Sequence, residues 1–170
     1  MAVQVAVCGP ARCGEPERAL AHELGRLLAE RGAVVICGGH GGVMAAVAAG
    51  ARSRGGLVVG VLPGPDRSGA GPDLSVAIAT GLGQARNSVI VHSGDAVIVV
   101  GGSWGTLSEL ALAVRRGGVP VVRLGDGWRP VDARGQEPPG ILHALTPTEA
   151  LDLTGLWPST PTGTTAPDPS

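Results

Sequence analysis

Six short apolar runs, most of them closed by glycine or proline and followed by a helical pattern, constrain this chain more than any other feature. They fall at residues 3–8, 33–37, 57–62, 74–79, 96–100 and 119–124, and valine dominates them. Such runs lack the polar alternation of a half-exposed strand, so each is expected to be buried on both faces. Between them, residues 15–31, 43–54, 82–93 and 106–116 carry helical periodicity or small-residue helical composition, and 146–153 reads as a short closing helix. Pro16 suits a first helical turn and Gly32 a helix end. Strands alternating with helices imply a parallel sheet covered on both sides. The expected fold class is therefore α/β, a Rossmann-like, doubly wound, mostly parallel sheet in a single domain spanning 1–157. Residues 158–170 contain only Pro, Ser, Thr, Gly, Ala and Asp. That composition cannot bury enough apolar surface to offset ordering entropy, and a disordered tail is expected.

Residues 33–51 carry no charge, but five glycines and His40 interrupt them, so they read as strand, loop and helix rather than a membrane span. Between 125 and 145 the pattern weakens. Asp126, Trp128 and Arg129 there either fold over a cleft or close the sheet edge.

Charge and cysteine content narrow the chemistry. All 13 basic side chains are arginine, and there is no lysine, tyrosine or phenylalanine. A Schiff-base enzyme and a Walker-type phosphate loop both need a lysine. A net charge of -1 leaves no basic face for nucleic acid and no polybasic membrane anchor. Cys8, Cys13 and Cys37 form an odd set without zinc spacing. Together with an N-terminus that enters a strand at once, they point to a reducing, cytoplasmic setting, with no metal and no cofactor expected.

In a doubly wound fold, ligands lie at the carboxyl ends of the strands. The strongest feature there is Gly101-Gly102-Ser103-Trp104-Gly105-Thr106, followed by Glu109. A strand ends, glycines turn the chain, and a helix is expected to begin at Thr106. Helix-start N–H groups and the helix dipole attract anions, and glycine lets a phosphate approach the backbone without any lysine. Thr106 and Glu109 also have the spacing of a capping box, a role compatible with ligand contact.

Gly38-Gly39-His40-Gly41-Gly42-Val43-Met44 is a second strand–glycine–helix junction, suited either to a ligand against the backbone or to tight helix–sheet packing. It is not the dinucleotide fingerprint, because no acidic residue follows the next strand. His40 reads as a loop residue and Met44 as core. Arg86 sits near a helix start, where a cation gains nothing from the dipole, and that mismatch hints at an anionic partner.

These motifs, with Cys8-Gly9 after the first strand, occur in the order found in the LOG (lonely guy) proteins of the SLOG superfamily. The resemblance covers roughly residues 3–124. That group includes cytokinin-activating nucleoside 5'-monophosphate phosphoribohydrolases and molybdenum cofactor carriers, and members often carry the label "possible lysine decarboxylase". The resemblance implies that Arg86 and Glu109 lie near a ribose, as the catalytic pair where the protein is an enzyme. It implies ligand contacts from Gly9, Gly38, Gly39, Gly41, Gly42, Met44, Asn87, Gly101, Gly102, Ser103, Trp104, Gly105 and Thr106. Val100, Trp104 and Asn87 stand where the hydrolases usually have proline, tyrosine and lysine, and Ala85-Arg86-Asn87 is similar to the carrier branch. The expected function is binding of a phosphorylated nucleotide- or pterin-like ligand, of carrier or sensor type. The alternative is an N-glycosidic hydrolase releasing free base and ribose 5'-phosphate, and not a lysine decarboxylase. A homodimer or higher homo-oligomer is also implied, to which the nearly all-round apolar character of 106–116 is suited.

Overall fold

A computed structural model describes residues 1–158. The expected tail from 159 onward lies outside the described residues. The strands are β1 (Gln4–Cys8), β2 (Val34–Cys37), β3 (Val58–Leu62), β4 (Val76–Ala79), β5 (Ala96–Gly101), β6 (Val121–Gly127) and β7 (Ile141–Ala144). The helices are α1 (Glu15–Glu30), α2 (Val43–Arg52), α3 (Arg86–Ser93), α4 (Trp104–Arg116) and α5 (Pro147–Thr154).

The seven strands form one sheet in the order β4-β3-β2-β1-β5-β6-β7, and every pairing is parallel. The chain winds outward from β1 to β4, then returns to place β5 on the other side of β1. That reversal opens a crevice at the carboxyl ends of β1 and β5, the usual ligand position in such sheets. Alternate residues feed two cores. Val5, Val7, Val35 and Cys37 face the side covered by α1, α2 and α5, and Ala6, Cys8, Ile36 and Val99 face the other side with Ile90 of α3 and Leu110 of α4.

Two boundaries differ from the sequence reading. Residues 82–93 are not one helix, because a short 3-10 turn at Gly83–Ala85 precedes α3 and leaves Arg86 as its first residue. Helix α4 begins two residues early, at Trp104, because Ser103 is extended and its side chain accepts the Thr106 N–H. Thr106 and Glu109 are therefore not a capping box, and both turn inward. Within residues 125–145, a strand that the sequence pattern does not show, β7, closes the sheet edge, and Trp128 reaches back to the Gly101–Trp104 turn.

Helices α1 and α2 meet at two glycines. A Cβ on Gly25 would overlap the Val47 carbonyl and lie 2.9 Å from the Ala51 nitrogen, and one on Gly50 would overlap the His22 carbonyl. Glycine inside a helix ordinarily costs about 1 kcal/mol relative to alanine. Here it lets the two backbones touch. Gly50→Ala is therefore expected to lower stability by about 3 kcal/mol despite its better helix propensity. Urea denaturation checks this, and a neutral or stabilising result contradicts the close approach.

Candidate functional site

Glycine at the ends of β1 and β2 builds the floor of the crevice. The β1–α1 loop crosses the start of α2, where the Val43 N–H donates to the Pro10 carbonyl at 3.0 Å. Gly42 turns there with a φ of 60°, against the backbone of Pro10 and Ala11. A Cβ on Gly9 would overlap the Val43 side chain and lie 2.9 Å from the Val100 oxygen. A Cβ on Gly38 would overlap the Arg86 guanidinium and lie 2.5 Å from the Met44 sulfur. Only glycine at 38 leaves Arg86 room beneath the end of β2.

Arg86 enters that space from α3 and its Nη1 donates to the Val61 carbonyl at 2.9 Å. The residue is 7% exposed, and its Nε has no hydrogen-bond partner. Asn87, 2% exposed, also leaves its Oδ1 unpartnered. Buried polar atoms are normally satisfied, so two orphans on adjacent residues single out this part of the crevice.

Glu109 projects from the second turn of α4 and is 6% exposed. Burial pushes its carboxyl up to about 7, while the positive field of Arg86 and the Cys8 thiol act in the opposite direction. The two side chains influence one another without forming an ion pair. Burial, and next the Glu109 charge, push the Cys8 thiol well above its ordinary value, and burial pushes Cys37 up to about 11. Both thiols therefore stay protonated at neutral pH.

The opposite wall is the start of α4. Ser103 Oγ accepts the Thr106 N–H at 3.2 Å and pairs with Thr106 Oγ1 at 2.8 Å. Trp104 and Gly105 occupy the first two helical positions, whose N–H groups have no intrahelical acceptor. Between these walls lies an open cleft of about 240 Å³.

Of the expected site residues, Gly9, Met44, Arg86, Asn87, Ser103, Gly105, Thr106 and Glu109 line this cleft. Gly38, Gly39, Gly41 and Gly42 do not line it and instead form the turn behind Arg86 and Met44. Gly39 has a φ of 73° and packs on Leu62 and Gly60. Gly101 and Gly102 shape the end of β5 against Glu17 and Trp128. Trp104 turns away from the cleft, is 77% exposed, and lies with its ring centre 5.1 Å from that of Trp128. His40, expected to be only a loop residue, lines the cleft while its Nδ1 lies 3.1 Å from the Gly69 carbonyl. Pro10, Pro63 and Gln84 line it as well. Their only sequence signal is position just past a strand end or beside Arg86.

Among the described residues, no group of three or more His, Cys, Asp or Glu side chains is placed to hold a metal ion, and no helix is long and apolar enough to cross a membrane.

Fold and cleft together define a doubly wound α/β protein whose switch-point crevice holds a glycine-cradled arginine and a buried glutamate. The chain belongs to the SLOG cluster4 family, whose model matches residues 2–151. It resembles the molybdenum cofactor binding protein of Rippkaea orientalis, with 34% identity, 90% of this chain and 95% of that one covered, and a TM-score of 0.81. The molybdenum cofactor carrier protein of Chlamydomonas reinhardtii is 28% identical, with 89% and 95% covered and a TM-score of 0.74. A cytokinin riboside 5'-monophosphate phosphoribohydrolase of Mycobacterium tuberculosis is 40% identical over 94 residues, which are 54% of this chain and 50% of that protein.

The raised carboxyl of Glu109 has a consequence for stability. Its folded value near 7 lies above the ordinary 4.5, so folding takes up a proton between these pH values. The stability from this group is complete below the ordinary value and is lost as pH rises through about 7. Glu109→Gln removes the titration. Relative to the parent, it is expected to gain about 3 kcal/mol between pH 4 and pH 8. Chemical denaturation at both pH values measures the difference, and parallel pH profiles contradict it.

Proposed function

We propose that the cleft binds a phosphorylated small molecule with a nucleotide- or pterin-like ring, and that the protein acts as a carrier or sensor of that ligand. The observation that carries this reading is the pairing of a buried, incompletely bonded guanidinium at Arg86 with the free N–H groups at the start of α4 across one cleft. Both features recognise oxyanions, and neither needs lysine. The likeness to proteins named for binding or carrying the molybdenum cofactor supports the same reading. In this role the backbone of Trp104 and Gly105, with the hydroxyls of Ser103 and Thr106, holds the phosphate. Arg86 and Asn87 contact the adjoining sugar or ring system, and His40 and Met44 border the far end.

Glu109 favours a second reading, as does the phosphoribohydrolase relative. In that reaction the bond between C1' of a nucleoside 5'-monophosphate and its base breaks, and the electron pair leaves with the base. The ionised carboxylate stabilises the oxocarbenium-like centre and takes a proton from the water that adds to C1'. A group titrating near 7 is suited to such proton transfer.

The half-buried Leu107, Leu112 and Val114 on α4 support homo-oligomer formation. The three free thiols support a reducing, cytoplasmic location.

Calorimetry with molybdopterin and a panel of nucleoside 5'-monophosphates, alongside an assay for free base, tests both readings. The carrier reading expects binding without base release, with affinity lowered about 10- to 100-fold in Arg86→Ala. Protonated Glu109 adds no negative charge, so affinity for the anionic ligand should weaken as pH rises through about 7, and Glu109→Gln should flatten that dependence. Base release that grows as pH rises through about 7 and disappears in Glu109→Ala establishes the hydrolase instead. Ligand affinity unchanged in Arg86→Ala overturns both.

A further inference from the structure

Beyond the cleft, at the carboxyl ends of β6 and β7, lies a second concavity of about 310 Å³ that shares neither Arg86 nor Glu109 with it. Arg123 of β6 forms its base and is 9% exposed. Its Nη1 donates to the Trp128 carbonyl at 3.2 Å and its Nη2 to Glu137 Oε1 at 3.0 Å, while its Nε is buried without a partner. Arg129, whose side chain is 74% exposed, donates from Nε to the same Glu137 oxygen at 2.8 Å. His143 completes the wall, with Nε2 3.2 Å from the Gly125 carbonyl, which can only accept. Asp126 borders the concavity but forms no ion pair with either arginine.

Two guanidinium groups thus converge on one oxygen of one carboxylate. Glu137 supplies a single negative charge to two cations, and its second oxygen accepts no hydrogen bond among the described residues. Arginine forks bond oxyanions through paired donors, and a tetrahedral anion offers more oxygens to two forks in different planes than one carboxylate does. We propose that the Arg123–Arg129 pair is a second anion site, for the phosphate group of a small molecule, and that Glu137 is its internal occupant, displaced when that group binds. The β6–β7 connection that carries Glu137 also carries Trp128. The Trp128 indole N–H donates to the Ser103 carbonyl at 2.8 Å, and its ring lies against Trp104. Displacement of Glu137 is therefore felt at the residue that caps α4.

Inorganic phosphate is the probe, with acetate as the carboxylate arm. The readouts are the side-chain Nε–H resonances of Arg123 and Arg129 by NMR and the tryptophan fluorescence. Phosphate is expected to shift both resonances and alter the fluorescence, and acetate to do neither. Glu137→Gln frees the two arginines and should tighten the phosphate affinity read at Arg129 about tenfold. Arg129→Ala, at an exposed position that leaves the fold intact, should weaken the phosphate affinity read at Arg123 by a similar factor. Three results overturn the proposal: phosphate shifts confined to the start of α4, acetate binding better than phosphate, or an affinity that Glu137→Gln fails to tighten and Arg129→Ala fails to weaken.

Discussion

The cleft rests on one contact, the crossing of the β1–α1 loop over the first turn of α2. The Val43 N–H donates to Pro10, and Gly9 and Gly42 bring the two segments to a separation no side chain would allow. This contact does more than join two loops. It takes up the first amide of α2, so that helix start is occupied by the protein's own carbonyl. The start of α4 is left as the wall of the cleft with amides still free. Beside it, Gly38 at the end of β2 leaves the space that Arg86 enters. A side chain at 9, 38 or 42 would therefore cost more than local strain, because the arginine and the helix would both lose their places.

Arg86 and Glu109 are held close enough to sense one another's charge yet too far apart to neutralise one another as an ion pair. Burial works against the Glu109 carboxylate more strongly than Arg86 works for it, and the result is a group poised near neutrality. With Glu109 ionised, the pair adds no net charge to the cleft. With it protonated, the cleft carries a net positive charge beside the free amides of α4. The same residue thus sets both the stability cost of keeping the cleft empty and the charge that an anionic ligand meets.

Much of this architecture was legible because the strands are uninterrupted valine-rich runs. A run such as Val97-Ile98-Val99-Val100, apolar on both faces, has no stable place except inside a covered parallel sheet. The edge strand β7 was missed for the converse reason. Ile141-Leu142-His143-Ala144 is short and only partly buried, and it forms against β6 rather than from its own pattern. The start of α4 was misplaced because Thr106 and Glu109 have capping-box spacing, whereas Ser103, extended and three residues earlier, supplies the cap. The close approach of Gly25 to Val47 and of Gly50 to His22 carries no sequence signal of its partner, since only the crossing of two helices defines it. In the cleft, the arginine and glutamate were readable as motif positions, but His40 and Pro63 were not, because loop packing alone brings them there.

The missing lysine acquires its physical meaning at this point. Asn87 stands in the position where a lysine would add a permanent cation beside Arg86, and it is buried with an unpartnered oxygen. A second cation there would hold Glu109 ionised by lowering its carboxyl, as Arg86 alone does in part. It would favour a carboxylate ready to stabilise positive charge at all neutral pH values. With asparagine instead, Glu109 is left near half-protonation, and the cleft can gain positive charge by taking up a proton rather than by carrying another side chain. A single proton on Glu109, rather than a fixed second cation, thus sets the charge that an anion meets in the cleft.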